Sequence, residues 1–321
     1  MRTVVAATIL ALLAAACAQP GTEGESQTVS LGYGWSAGET FTYENDFAMS
    51  MSTEVEGLPD ADLSEPIDMD LSATLLTSYS FADGAEPGTY RVTMHYDDIT
   101  EVSVTVRNGD EELSMDEGDL ADVQDEVFGG EGVEFIVDES GQILSLSVGG
   151  SDIPLPSFAG QGLGAASSAM PFLGPELPDG EIAVGDVWST SWATEAFPGQ
   201  ELSISADSSL AAIETIDGVE LYVIETTTTS SAVELDLADL LGGLAEGFGG
   251  SEADVPSDIS FAMTLEQAPG VATVWFDPAR GITVRQTFTS GTDMAITFSG
   301  EGEAGSMTMH IVTSGTLELL D

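Results

Sequence analysis

Apolar and polar residues alternate along most of the chain, and this period-two pattern predicts strands with one buried face. In the first half, the apolar positions are odd from Phe41 to Met51 and from Met69 to Phe81, and even from Tyr90 to Tyr96. In the second half, Leu221–Thr229 is rich in β-branched residues, which strands favour. The pattern therefore predicts a mainly β protein.

Glycine, proline and acidic residues divide the alternating runs into two groups. The sequence predicts two similar antiparallel β lobes, as half-barrels or curved sheets, at residues 31–148 and 183–321. A Gly/Pro-rich connection at 149–182 joins them. Gly38-Glu39-Thr40-Phe41 and Gly185-Asp186-Val187-Trp188 share a glycine, an acid and an aromatic residue at the fourth place. These matches indicate an internal repeat, although any all-β chain shows weak self-similarity.

One or two short helices are expected beside the strands. Residues 120–127 and 158–172 are candidates, and 236–248 has apolar residues at helical spacing. That last segment includes Leu240, Leu244 and Phe248. Its glycines each cost about 1 kcal/mol relative to alanine, so the helix is weak unless it packs as a lid or as a cover on a sheet.

The N-terminus has the order of a secretory signal over residues 1–16: Arg2, an apolar run from Val4 to Leu13, and three alanines. The apolar run is too short to span a bilayer as a helix. Cys17, the chain's only cysteine, follows directly. Leu13-Ala14-Ala15-Ala16-Cys17 resembles a bacterial lipobox, which implies acylation of Cys17, with fatty acids such as palmitate, and a linker at 17–30. The alternative is an ordinary signal peptide with an incidental cysteine.

The charge balance is strongly acidic. Five basic residues, all arginines, stand against 56 acidic ones, for a net charge of −51. Such a charge repels nucleic acids and anionic headgroups, so neither is an expected partner. It also favours high salt or divalent cations. Adaptation to a saline habitat is one explanation. Weak Ca²⁺ binding by the acids of 110–126 is another, although their spacing does not match an EF-hand.

The sequence offers little catalytic chemistry. The absence of lysine excludes P-loops and Schiff bases. His95 and His310 are the only histidines, and both lie in strand-like runs without a nucleophile motif, so we expect no enzyme. A hydrolase that uses His95 or His310 remains an alternative. Neither a metal centre nor a cofactor is predicted.

Methionines on the strand-like runs suggest an apolar binding site, because methionine adapts to irregular ligands as well as to irregular cores. The candidate ligand-binding residues are Met49, Met51, Met94, Leu240, Leu244 and Phe248. Packing of a protein core is the alternative role for the same side chains.

A family resemblance rests on residues 177–188, which are similar to a P-x-x-x-V-x-x-G-D-x-W segment. Pro178, Gly185, Asp186 and Trp188 match it, and Ile182 stands at the Val place. Together with the lipobox-like start, this segment resembles a family of uncharacterised bacterial lipoproteins of about 300 residues. The resemblance implies a lipid-anchored envelope protein facing the periplasm or the exterior. More distantly, the predicted architecture is similar to half-barrel carriers of lipids. We therefore expect a non-catalytic binding or carrier module for an apolar ligand or envelope partner. The alternative is a structural or adhesive surface protein that is stabilised by cations or high salt.

Overall fold

The computed structural model describes residues 28–57, 66–109, 111–116, 133–148, 151–153, 176–178, 180–197, 200–236, 259–300 and 303–320. Within these ranges the chain forms strands and no helix, which confirms the predicted mainly β, antiparallel fold class. The predicted helices at 120–127 and 158–172 lie outside the described residues, as do the signal segment and Cys17. The predicted helix at 236–248 also lies outside them, except for Asp236, which is in a strand.

Strands of the first half are short at its two ends and long in its middle. They are β1 (Thr28–Ser30), β2 (Thr40–Glu56), β3 (Ile67–Asp83), β4 (Thr89–Asn108), β5 (Glu111–Asp116), β6 (Val133–Asp138), β7 (Ile143–Val148) and β8 (Ser151–Ile153). The predicted linker 17–30 thus ends in a strand, and β8 lies in the predicted connection.

The second half also begins with a three-residue strand, but it ends on three long strands. Its strands are β9 (Glu181–Ala183), β10 (Val187–Phe197), β11 (Gln200–Ile216), β12 (Val219–Ser230), β13 (Val233–Asp236), β14 (Ile259–Asp277), β15 (Ile282–Gly300) and β16 (Glu303–Leu320). Asp217 and Gly218 both have positive φ in the two-residue β11–β12 turn, as a type I′ hairpin requires.

Fourteen strands form one antiparallel sheet, in the order β10-β11-β12-β14-β15-β16-β2-β3-β4-β6-β7-β8. β13 pairs with β14, and β5 pairs with β4, beside this path. The second half therefore precedes the first along the sheet, with its strands in the same internal order. The seam between the halves is the pairing of β16 with β2, from Ser306↔Glu56 to Leu320↔Thr42. β1 and β9 form a separate two-stranded sheet.

Equivalent hydrogen bonds begin both halves. Gly38 N–H donates to Phe81 O at 2.8 Å, and Phe81 N–H donates to Glu39 O at 3.0 Å. The Glu39 carboxylate accepts from Ser36 N–H at 2.9 Å. The corresponding set in the second half joins Gly185 to Leu210, Leu210 to Asp186 and Ala183 to the Asp186 carboxylate. The two stretches that look alike in sequence thus make the same local structure.

Buried apolar residues form two cores, each of which takes residues from both halves, and residues 31–35 run from one core to the other. The first core includes Trp35, Tyr43, Tyr79, Phe81, Val92, Met94, Phe135 and Leu317. The second includes Val29, Leu31, Ile182, Leu210, Ile224, Val274 and Phe276. Tyr33 stacks on Trp35 at 4.3 Å between ring centroids and meets Phe276 edge-on at 5.6 Å. The N-terminal segment therefore joins the two cores.

The close approach of residues 31–35 to the turn before β15 requires glycine at position 281. Gly34 N–H donates to Gly281 O at 3.1 Å. A Cβ at Gly281 would lie 1.9 Å from the Gly34 nitrogen, and Gly281 has a φ of +66°. Only glycine combines that conformation with so close an approach of two backbones.

Candidate apolar binding face

Cross-strand register collects the predicted apolar positions on one side of the sheet. Directly opposed residues in an antiparallel pair point to the same face. Met51 is opposite Met69 on β3 and Ile311 on β16, and Met309 is opposite Met294 on β15. The side chains of distant parts of the chain thus form one surface.

We name this surface the methionine face. Its described members are Phe47, Met49, Met51 and Val55 on β2; Met69 and Leu71 on β3; Val104 and Val106 on β4; Met115 on β5; Met263 and Leu265 on β14; Met294 and Ile296 on β15; and Met307, Met309 and Ile311 on β16. All are uncharged. Most are half-buried, whereas the aromatic core beside them is fully buried.

Polar side chains occupy the opposite side of the same strands, which we name the polar face. A row across it consists of Glu266, Asp293, His310, Ser52, Asp68, Arg107 and Glu112. Arg107 contacts Asp70 at 2.7 Å and Glu112 at 3.2 Å. The Arg107 and Ser50 hydrogen bonds lower the pKa of Asp70. Because these groups are exposed, their ion pairs add little stability.

The methionine face meets the first core at two aromatic side chains. Phe47 on β2 and Phe288 on β15 both lie opposite Gly315 on β16. A Cβ at Gly315 would lie 2.6 Å from the Phe288 ring and 2.7 Å from the Asp46 carbonyl oxygen. The glycine therefore provides the room in which the Phe288 ring packs across β16.

Two buried amides lie one step further into the core. Asn45 and Gln286 are both opposite Leu317, and they are 7% and 4% exposed. Neither Asn45 Oδ1 nor Gln286 Oε1 has a hydrogen-bond partner within the described chain. An unsatisfied buried acceptor is costly. Neither residue was predicted from the sequence, although Asn45 interrupts the odd apolar positions of β2 between Tyr43 and Phe47.

The predicted site residues fall in three places. Met49 and Met51 lie on the methionine face, half-buried. Met94 is 5% exposed and packs in the first core, opposite Tyr79. Leu240, Leu244 and Phe248 lie outside the described residues, so the structure brings only Met49 and Met51 together on the face.

Both histidines lie on exposed strand positions. His310 Nδ1 is 2.5 Å from Asp293 Oδ1. Both residues and Ser52 line a shallow depression of about 380 Å³ on the polar face. The His310 and Asp293 side chains are 57% and 59% exposed, so water competes with every electrostatic interaction there. His95 is exposed on β4, opposite Ser78, which donates to Asp97.

Metal binding finds no support in the described ranges, where no three His, Cys, Asp or Glu side chains group closely enough to hold an ion. Of the acids at 110–126, Glu111, Glu112 and Asp116 lie on β5, and the others lie outside those ranges. None of the described residues belongs to a helix long and apolar enough to cross a membrane.

Comparisons with known proteins show low similarity. No protein-family profile and no curated protein matches the chain. Among solved structures, lipovitellin is 10% identical with a TM-score of 0.38, and the match covers 89% of this chain and 25% of lipovitellin. OpdQ of Pseudomonas aeruginosa is 6% identical with a TM-score of 0.19, covering 86% of this chain and 97% of OpdQ. An outer membrane channel of Pseudomonas putida F1 is 5% identical with a TM-score of 0.18, covering 94% and 100%.

The chain thus spans about a quarter of the lipovitellin chain that it matches.

Proposed function

We propose that this protein is an exported, lipid-anchored envelope protein whose methionine face binds an apolar ligand or envelope partner without transforming it. The observation that carries the proposal is the cross-strand register, which gathers Met49, Met51, Met69, Met294 and Met309 on one uncharged surface. Unbranched thioether side chains adapt to ligands of irregular shape.

The difference in burial between the methionine face and the aromatic core supports this proposal. Tyr43, Tyr79 and Phe135 are at most 2% exposed and fill the first core. The methionines further along the same strands are only half-buried. Extended apolar surface that remains accessible is typical of binding sites.

A fluorescent fatty-acid ester that carries a pyrene group is a suitable probe. We expect saturable binding to the purified protein, and an at least tenfold loss of affinity in Met49→Glu, because a carboxylate then enters the apolar surface. Ala48→Glu is the matched control, since Ala48 is the next residue along β2 and lies on the opposite face. Equal affinities of the two variants, or no binding by the unmodified protein, would contradict the proposal.

The anchor is the second part of the proposal. Acylated Cys17 would tether the sheet to a membrane of the envelope, and β1 begins at Thr28. An 11-residue spacer reaches at most about 40 Å. Metabolic labelling with palmitate should label the protein and not Cys17→Ser. An unlabelled protein, or a mature N-terminus at a residue other than Cys17, would contradict the proposed lipid anchor.

His310 supports a second candidate, because Asp293 contacts it and Ser52 lies directly opposite on β2. The high exposure of the pair speaks against a hydrolase, since catalysis benefits from a water-excluded site. A fluorophosphonate probe is expected to leave the protein unlabelled. Labelling that disappears in both Ser52→Ala and His310→Ala would replace the binding proposal by a hydrolytic one.

A further inference from the structure

One edge of the large sheet ends on a long strand, β10, whose outer side pairs with no strand among the described residues. β10 pairs with β11 and with no other strand of the described chain. Its counterpart in the first half, β2, pairs with β3 on one side and with β16 on the other. β2 and β10 begin with equivalent hydrogen bonds. The pairing of β16 with β2 therefore shows how the corresponding edge of β10 would accept a strand.

Hydrogen-bond geometry identifies the backbone groups on the outer side of β10. Leu210 N–H donates to Asp186 O at 3.1 Å, next to the Val187↔Ser209 pair. That pair is therefore of the non-hydrogen-bonded kind, in which the N–H and C=O groups point away from the partner strand. By alternation, the same groups of Ser189, Ser191 and Ala193 also point away from β11.

From Val187 to Thr194, the β10 edge has none of the features that keep natural sheets apart. Natural edge strands are short, or carry charges, prolines or bulges. The opposite end of the sheet is β8, a strand of three residues. β10 has 11 residues and no proline, and its one charged residue, Glu195, and its one register shift, between Glu195 and Phe197, both lie near its C-terminal end. A strand of this length with a single charged residue is unexpected in a chain of net charge −51 unless the edge is used.

We propose that β10 pairs with β10 of a second copy, antiparallel about a two-fold axis at Ser191. This register places Ser189 opposite Ala193 and Val187 opposite Glu195 of the other copy, so that no acid faces an acid. A two-fold contact uses the same edge twice and closes. Head-to-tail pairing of β10 with the three-residue β8 would be shorter and would form open filaments.

The net charge predicts how this dimer responds to salt. Two copies that each carry −51 repel each other at low ionic strength, whereas about 1 M salt confines charge interactions to about 3 Å. The dimer fraction should therefore rise with NaCl concentration.

Light scattering of the full chain carrying Cys17→Ser, which removes acyl-mediated association, tests the proposal. We expect a dimer at 1 M NaCl and a monomer for Ser191→Pro, which removes one outward N–H and leaves the bonds to β11 in place. Ser191→Ala is the matched control and should stay dimeric. A monomer at 100 µM protein in 1 M NaCl, or a folded Ser191→Pro dimer, would overturn the proposal.

A cross-linking experiment does not depend on the proline variant folding. In the Cys17→Ser chain, Ser191→Cys introduces the only thiol, and a short bismaleimide should join two copies at this position. Ser72→Cys on the polar face of β3, away from β10, is the control and should cross-link at background level. Equal yields at both positions would overturn the register, and with it the dimer.

Discussion

The Tyr43 hydroxyl donates a hydrogen bond to the Thr283 carbonyl oxygen at 2.8 Å, across 240 residues of chain. Tyr43 lies on β2 and Thr283 on β15, so the bond crosses β16 and links the two halves of the sheet. Tyr43 is fully buried, and its ring meets Tyr79 edge-on at 5.7 Å. A single phenol thus ties the first core to the second half.

Tyr43→Phe should lower the free energy of unfolding by about 1–2 kcal/mol, because the hydroxyl is lost and the Thr283 carbonyl loses a partner in a dry site. Urea denaturation gives the measurement. Tyr222→Phe is the control: its hydroxyl makes a long 3.4 Å bond to Glu220, and we expect a loss below about 0.5 kcal/mol. Equal losses of unfolding free energy in both variants would show that the Tyr43–Thr283 hydrogen bond does not stabilise the fold more than the Tyr222–Glu220 bond does.

Gly315→Ala should destabilise the protein by about 1–3 kcal/mol, because the new methyl group would overlap the Phe288 ring and the Asp46 carbonyl. Thermal unfolding measures the effect. Gly270→Ala also changes a strand glycine, but its nearest neighbour would be 3.6 Å away, so we expect little change. Phe288→Leu should recover part of the loss in the double variant. No recovery would mean that the overlap with Phe288 is not the cause.

Alkaline pH should unfold the protein. Burial raises the pKa of Tyr43 and of Tyr79 above the ordinary value of 10.0. The folded state therefore holds these protons more tightly than the unfolded state. The resulting stability is complete below about pH 10 and is lost as the pH rises through the folded-state pKa values. Absorbance of tyrosinate and circular dichroism should change together above pH 10. Full tyrosine ionisation without unfolding would contradict the prediction.

Salt should stabilise the fold. Raising NaCl from about 0.1 M to about 1 M shortens the Debye length from about 10 Å to about 3 Å, which screens the repulsion among the acids. Differential scanning fluorimetry should show a melting temperature several degrees higher. CaCl₂ at matched ionic strength separates screening from a specific site. Extra stabilisation by calcium would favour the structural, cation-stabilised alternative.

Gln286→Leu should raise the free energy of unfolding by about 1 kcal/mol, because it removes a buried acceptor without a described partner at similar volume. Gln267→Leu is the matched control, since Gln267 is half-buried on β14 and lies opposite Thr292 rather than in the core. Destabilisation by Gln286→Leu would instead show that the oxygen has a partner in solution, such as ordered water or a bound ligand.

Local pattern was sufficient for the strands and several turns. The odd positions of Phe41, Tyr43, Met49 and Met51 predict one apolar face of β2, because strand geometry makes side chains alternate. The Asp217-Gly218 turn follows from the positive φ that a tight hairpin demands. The alternation also marks Asn45 as unusual, because this polar residue occupies an odd, apolar position between Tyr43 and Phe47.

The sequence alone thus determined the class of structure, the acidic surface and the division of each strand into an apolar and a polar side, since these depend on neighbours in the chain. Only the tertiary structure decided that β16 pairs with β2, that Phe288 packs over Gly315, and that Tyr33 lies between two cores. It also decided which methionines lie on a shared surface and which, like Met94, are core. Each of these depends on strand order and register, where contacts between residues hundreds of positions apart are selected by packing of whole sheets.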